Sequence, residues 1–238
     1  KNEVNPEKLT TWKDKLKEID NWADSTGLGV DEGIKETIVA LTLSGFNTLQ
    51  SCEGHLDTGS TRPWITIAPY EEPDLKFENQ QKIFKEVANK YDIPLEEVVK
   101  MRNWKAWQEA WNLSQKNEIT EGYKKWEKDT EEMINKIQDL LKDFYKNREV
   151  AKYAKLTIGG DEGNTLTNIS DNDLFLTISE KEKLTEKDKE KILPKLLECR
   201  QEMLDLTRLL KEKFYMGKQE GADFQSTELN IEALETFG

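Results

Sequence analysis

A chain of 238 residues with 47 Asp and Glu against 35 Lys and Arg, a net charge of −12, lacks the basic footprint of a phosphate-binding surface, which argues against nucleic acid as a partner. The charged fraction of 34% beside a hydrophobic fraction of 36% suits a helix-rich protein with extensive wet surface, and seven Trp argue against disorder. Two Cys do not make a disulfide framework, and no apolar run approaches the roughly 18 residues of a membrane span, so the expected setting is soluble, in a reducing cytoplasm and away from the membrane.

From Pro6 to about Ala23, Leu9, Trp12, Leu16, Ile19 and Trp22 recur at helical spacing. Gly27 and Gly29 close that helix, and Asp31 is placed to cap a second one carrying Ile34, Ile38, Val39, Leu41 and Leu43 up to Gly45. Asn47 to Ser51 is a short strand candidate, and Trp64 to Ala68, rich in β-branched and aromatic residues, a better one. Between them runs a Gly-containing loop.

From about Leu75 the pattern turns helical for some seventy residues. One face carries Ile83, Phe84, Val87 and Tyr91, and Asp92-Ile93-Pro94 breaks it. Next come Val98, Met101, Trp104, Trp107 and Trp111, then Tyr123, Trp126, Met133, Ile137, Leu140, Leu141 and Phe144. The last two runs read as arms of a helical hairpin joined near Gln115 to Thr120, with the three Trp of the first arm expected as core anchors. Near Tyr153 the period becomes two, and Leu156, Ile158, the turn Gly159 to Asn164 and Leu166 predict a β-hairpin. A long helix follows from about Thr185 to Met216, with Thr185 and Asp188 spaced as an N-terminal cap and Pro194 expected to start a turn or kink it.

These elements predict an α+β fold, a small β-sheet with flanking helices and a long inserted helical hairpin. The expected organisation is 1–74, helix-strand-loop-strand; 75–150, hairpin insertion; 151–217, β-hairpin and long helix completing the first part; and 218–238, a mobile tail.

Chemistry concentrates in Gly45 to Asp57, which holds the only His, one of the two Cys, two carboxylates and hydroxyls. Cys52 and His55 are three residues apart across Gly54, so the imidazole can face the thiol and draw its proton, with Glu53 or Asp57 orienting the ring. That makes Cys52 and His55 the candidate catalytic residues. Thiolate and imidazole also suit Zn²⁺, but no second Cys or His lies nearby, and no metal or other cofactor is assigned on this ligand count. A third reading is a small anionic or polar ligand held by the loop's backbone amides, with Thr48, Ser51, Glu53, Gly54, Asp57 and Arg62 around it and Trp64 stacking on a ring. Opposed to all three is a structural account, in which Cys52 is a small buried hydrophobe and His55 a surface turn residue.

The string Gly45, Thr48, Ser51, Cys52, Gly54 and His55, written Gly-x-x-Thr-x-x-Ser-Cys-x-Gly-His, resembles a motif of uncharacterised bacterial and phage proteins. Over about Val30 to Ile67 the order of helix, strand and Ser-Cys-x-Gly also resembles the tRNA methyltransferase family of wybutosine synthesis, which uses S-adenosylmethionine. Where that family has a basic residue after the Gly, this chain has His55. The resemblance implies a fold relation and a ligand loop, without the reaction. The functional expectation is a small-ligand-binding protein, or an enzyme, with its site at the Cys52–His55 loop. The alternative is an interaction module that binds a protein partner through the Trp-rich hairpin, the loop being structural.

Overall fold

A computed structural model describes residues 6–23, 27–57, 59–169, 177–178 and 184–216; the expected tail at 218–238 and Thr58 of the loop lie outside them. The fold is α+β, as the periodicities predict. The chain divides into two compact units, Lys1–Ile67 with Lys136–Gly238, and Ala68–Asn135.

The first unit begins with α1 (Pro6–Ile19) and α2 (Glu32–Leu43) and continues into β1 (Thr48–Cys52), β2 (Gly59–Ser60) and β3 (Trp64–Ile67). After the second unit it resumes within α6 (Glu121–Phe144) and adds β4 (Leu156–Thr157), β5 (Thr165–Asn168), β6 (Thr177–Ile178) and α7 (Glu186–Met216). Four strands make an antiparallel sheet in the order β1-β3-β5-β4. The predicted hairpin is thus the β4–β5 pair, and it joins the sheet through β3. Strands β2 and β6 pair separately, a short ribbon that two residues per strand cannot announce in a sequence.

Helix α2 is buried along most of its length because five successive positions, Thr37 to Leu41, face protein. It packs on α7, where the buried Thr207 hydroxyl donates to the Met203 carbonyl and so leaves Thr37 to donate to Thr207 at 2.8 Å. Removing Ile34, Ile38, Val39, Leu41, Ile65, Ile67, Leu166 and Leu206 from water makes this the main core, at about 1.5–3 kcal/mol per large side chain. Helix α1 closes it with Trp12, whose ring lies 5.9 Å from Phe214.

Helix α7 runs through Pro194 without starting a turn there. Proline removes one backbone bond, but Ile192, Leu196, Cys199, Met203, Leu206 and Leu210 are buried on both sides of it, and that burial outweighs the local loss. The expected cap forms: Asp188 N–H donates to Thr185 Oγ1 and Thr185 N–H to Asp188 Oδ2, both at 3.2 Å.

The second unit contains α3 (Gln80–Lys90), α4 (Leu95–Val99), α5 (Trp104–Ser114) and the first part of α6. Helix α5 packs chiefly on α3 and α4, so the tightest helical hairpin here is α3 with α5. The core at this contact is Phe84, Val87, Ala88, Val98, Ala106 and Ala110. The anchors of α5 are therefore its alanines, which let two helices approach closely. Trp107 and Trp111 are half-buried at the margin and Trp104 is 58% exposed, which corrects the expectation of three core tryptophans. No described helix is long and apolar enough to cross a membrane.

Candidate functional site

Strand β1 ends at Cys52, and Gly54 then turns the chain at φ +84°. A side chain at Gly54 would meet the Arg62 carbonyl carbon at 2.8 Å, Leu196 Cδ1 at 2.8 Å and Pro63 N at 3.0 Å, so the loop returns against α7 only because this residue lacks a Cβ. His55 N–H donates to the Ser60 carbonyl at 2.7 Å and closes the loop.

This turn brings Cys52 and His55 together as the spacing predicts, and the third member of the cluster is Asp31. One ligand atom from each of Asp31, Cys52 and His55 lies within 4.8 Å of the others. Asp31 holds the N-cap position of α2, yet its side chain makes no cap bond. Its Oδ2 instead accepts the Glu53 backbone N–H and His55 Nε2, each at 3.0 Å. Since a carboxylate only accepts, Nε2 carries the proton in that bond, and in the neutral ring Nδ1 then holds the lone pair.

Glu53 takes over at the start of α2. Its Oε2 accepts Gly33 N–H at 2.7 Å, where the helix presents free amides, and its Oε1 accepts Arg200 Nη2 at 3.0 Å. Arg200 also donates through Nε to the Glu53 carbonyl at 3.0 Å and through Nη2 to the Gly54 carbonyl. The ring-orienting role expected of Glu53 or Asp57 thus falls to Asp31. Glu53 is a brace between three segments, and the exposed Asp57 pairs with Lys189 at 2.8 Å.

Among the other expected ligand-binding residues, Trp64 stands directly across from Cys52 on β3 and shares its sheet face. Ser51, the strand neighbour of Cys52, alternates to the other face. Thr48 is buried at the far end of β1, with its hydroxyl unpartnered, and is not brought to the cluster. Arg62 donates to the Asn168 carbonyl at 2.6 Å and to both Glu162 oxygens at 3.3 Å, so it fastens the loop to β5 and the turn before it.

Burial pushes the Cys52 thiol up, Gly54 N–H donating to Sγ at 3.3 Å opposes this, and the Asp31 charge adds to the rise. Cys52 is accordingly expected to alkylate slowly with iodoacetamide at pH 7 and to accelerate only above the ordinary thiol value of 9.0, read by intact mass against pH. Rapid labelling at neutral pH would show an activated thiolate that this geometry does not provide. Cys199, pushed up to about 12 mainly by burial, supplies the unreactive reference.

Asp31 and Arg200 are the residues that sequence reasoning missed. Asp31 carried only the signal of a capping residue. Arg200 stands at buried-face spacing between Leu196 and Met203 on α7, an unusual place for a cation, and that was the available clue. Comparison with protein families, with curated proteins and with solved structures gave no match.

Proposed function

We propose that this protein binds a small polar ligand at the Cys52–His55 loop, with Asp31 as the third member of the site. The observation that supports the reading is the convergence of the three chemistry-bearing side chains, Asp31 and His55 remaining 30% and 35% exposed. A structural cysteine and a surface turn histidine need no such arrangement, nor a charged brace to hold it. With Nε2–H committed to Asp31, the lone pair of His55 is the group suited to accept a proton from a bound ligand, and Cys52 lines the same place. Trp64 gives the site an aromatic wall. Two free cysteines fit a reducing cytoplasm.

Native mass spectrometry of the purified protein tests this. The wild type is expected to carry a bound small molecule that is lost from Cys52→Ser, His55→Ala and Asp31→Asn while circular dichroism stays unchanged. Equal retention by the Cys52 and His55 variants would sink the reading.

A second reading, a protein-partner surface on the Trp-rich helices, draws on one observation: Val99, Met101 and Trp104 are each more than half exposed, and Trp104 stacks on Trp107 at 4.8 Å. A photo-crosslinker placed at position 104 tests it in cells. A discrete adduct supports a partner face, and a pattern equal to that from an exposed lysine position removes it.

A further inference from the structure

The donor set at the loop is one carboxylate oxygen, one imidazole nitrogen and one thiol sulfur, all within 4.8 Å of one another. Around a single tetrahedral Zn²⁺, with bonds of about 2.0–2.3 Å, such donors sit about 3.3–3.6 Å apart, so no pair of the three needs to move by more than about 1 Å. Asp31 Oδ2 and His55 Nε2 are already 3.0 Å apart. Sulfur and imidazole donors disfavour Mg²⁺ and Ca²⁺, which prefer oxygen, and favour a borderline-soft divalent ion.

The surroundings match that charge. Among the described residues no lysine or arginine pairs with Asp31, and the nearby Glu53 carboxylate is already balanced by Arg200. Two backbone amides point at the anionic donors, Gly54 N–H at Cys52 Sγ (3.3 Å) and Glu53 N–H at Asp31 Oδ2 (3.0 Å). Arg200 holds the carbonyls of those same two residues, Glu53 and Gly54, which makes it the outer support of the donors.

Resting on the small-ligand reading of the same loop, and naming what it holds, we propose that Asp31, Cys52 and His55 bind one divalent transition-metal ion of the Zn²⁺ class through three protein donors. The ion replaces the thiol proton of Cys52, which leaves to solvent, and takes the Nε2 lone pair of His55 as the ring proton passes through solvent to Nδ1, so that bonds to the metal replace the Nε2–H···Asp31 hydrogen bond. Three protein donors leave a fourth position for water or the small ligand, the pattern of reactive zinc sites rather than closed structural ones.

The test uses the full chain stripped with a chelator and reloaded with Zn²⁺ or Co²⁺. One Zn²⁺ per chain is expected after gel filtration, and the Co²⁺ form should show the intense tetrahedral bands and sulfur-to-metal charge transfer of a thiolate site. Cys52→Ser and His55→Ala should bind at least about a hundredfold more weakly, Arg200→Gln about ten- to a hundredfold, and Cys199→Ser as the wild type. Circular dichroism and the Cys199→Ser control separate a lost site from a lost fold. No retained metal in the wild type, or equal retention in the Cys52 and His55 variants, would overturn the proposal. A small molecule that binds the stripped wild type and is lost with those variants, while no metal binds, would overturn the metal and leave the ligand site. One stoichiometric metal with no small-molecule binding would uphold the metal and overturn the ligand.

Discussion

Gly54→Ala is expected to destabilise the protein by about 3 kcal/mol or more. The positive φ alone costs a residue with a Cβ about 1 kcal/mol. The larger part is steric: the new methyl would stand 2.8 Å from the Arg62 carbonyl carbon and 3.0 Å from Pro63 N, backbone atoms that cannot turn aside. Such overpacking typically costs about 1–3 kcal/mol. Gly45→Ala is the matched control, with φ +88° and nothing within 4 Å of the added atom, so only the conformational cost of about 1 kcal/mol applies. Urea midpoints of the two variants measure the difference. Equal losses would mean that the loop does not return against Arg62 and Leu196 as described.

Arg148→Met should cost about 2–3 kcal/mol for a different reason. Arg148 Nη2 donates to Glu202 Oε2 at 3.0 Å and to Asp205 Oδ2 at 2.9 Å, and its guanidinium lies 4.4 Å from the Phe144 ring centre. Arg148 is about a third exposed, which screens the bond to Asp205, but the Glu202 side chain is only 5% exposed. Removing the cation therefore leaves a buried carboxylate without its partner, the costly half of a buried pair. Adding Glu202→Gln to Arg148→Met should recover more than half of the loss, because an amide is cheaper to bury than an unpaired carboxylate. A double-mutant cycle on thermal unfolding checks this, and strictly additive losses would show that the two groups do not depend on each other.

Both effects belong to contacts between segments far apart in the chain, which is also where sequence reading ran short. The strands and helices were legible because their burial periods are local: Trp64 to Ile67 alternates, and α7 repeats its apolar face from Ile192 to Leu210 in spite of Pro194. Cys52 and His55 were legible as a pair because one turn contains them. Asp31 was not, since a capping residue looks the same whether its carboxylate caps the helix or reaches across to a loop twenty or more residues on. The exchange with Glu53 at the start of α2 depends on the third dimension. The Trp104, Trp107 and Trp111 stripe shows the limit of size as a guide: at the α3–α5 contact Ala106 and Ala110 decide the packing, and the larger rings are left at the edge.

The sheet order carries a consequence for the time course of folding. Strand β3 ends at Ile67 and its partner β5 begins at Thr165, so their pairing joins positions about a hundred residues apart, a separation that slows a search by random closure. Most of the intervening chain is a contiguous helical unit, Ala68–Asn135, whose contacts are short in sequence. Once it has formed, its residues no longer count as slack between the two strands. With the insertion as a folded spacer, the zipping of β5 onto β3 is expected to come late and to fasten the Cys52 loop through Arg62 and Asn168.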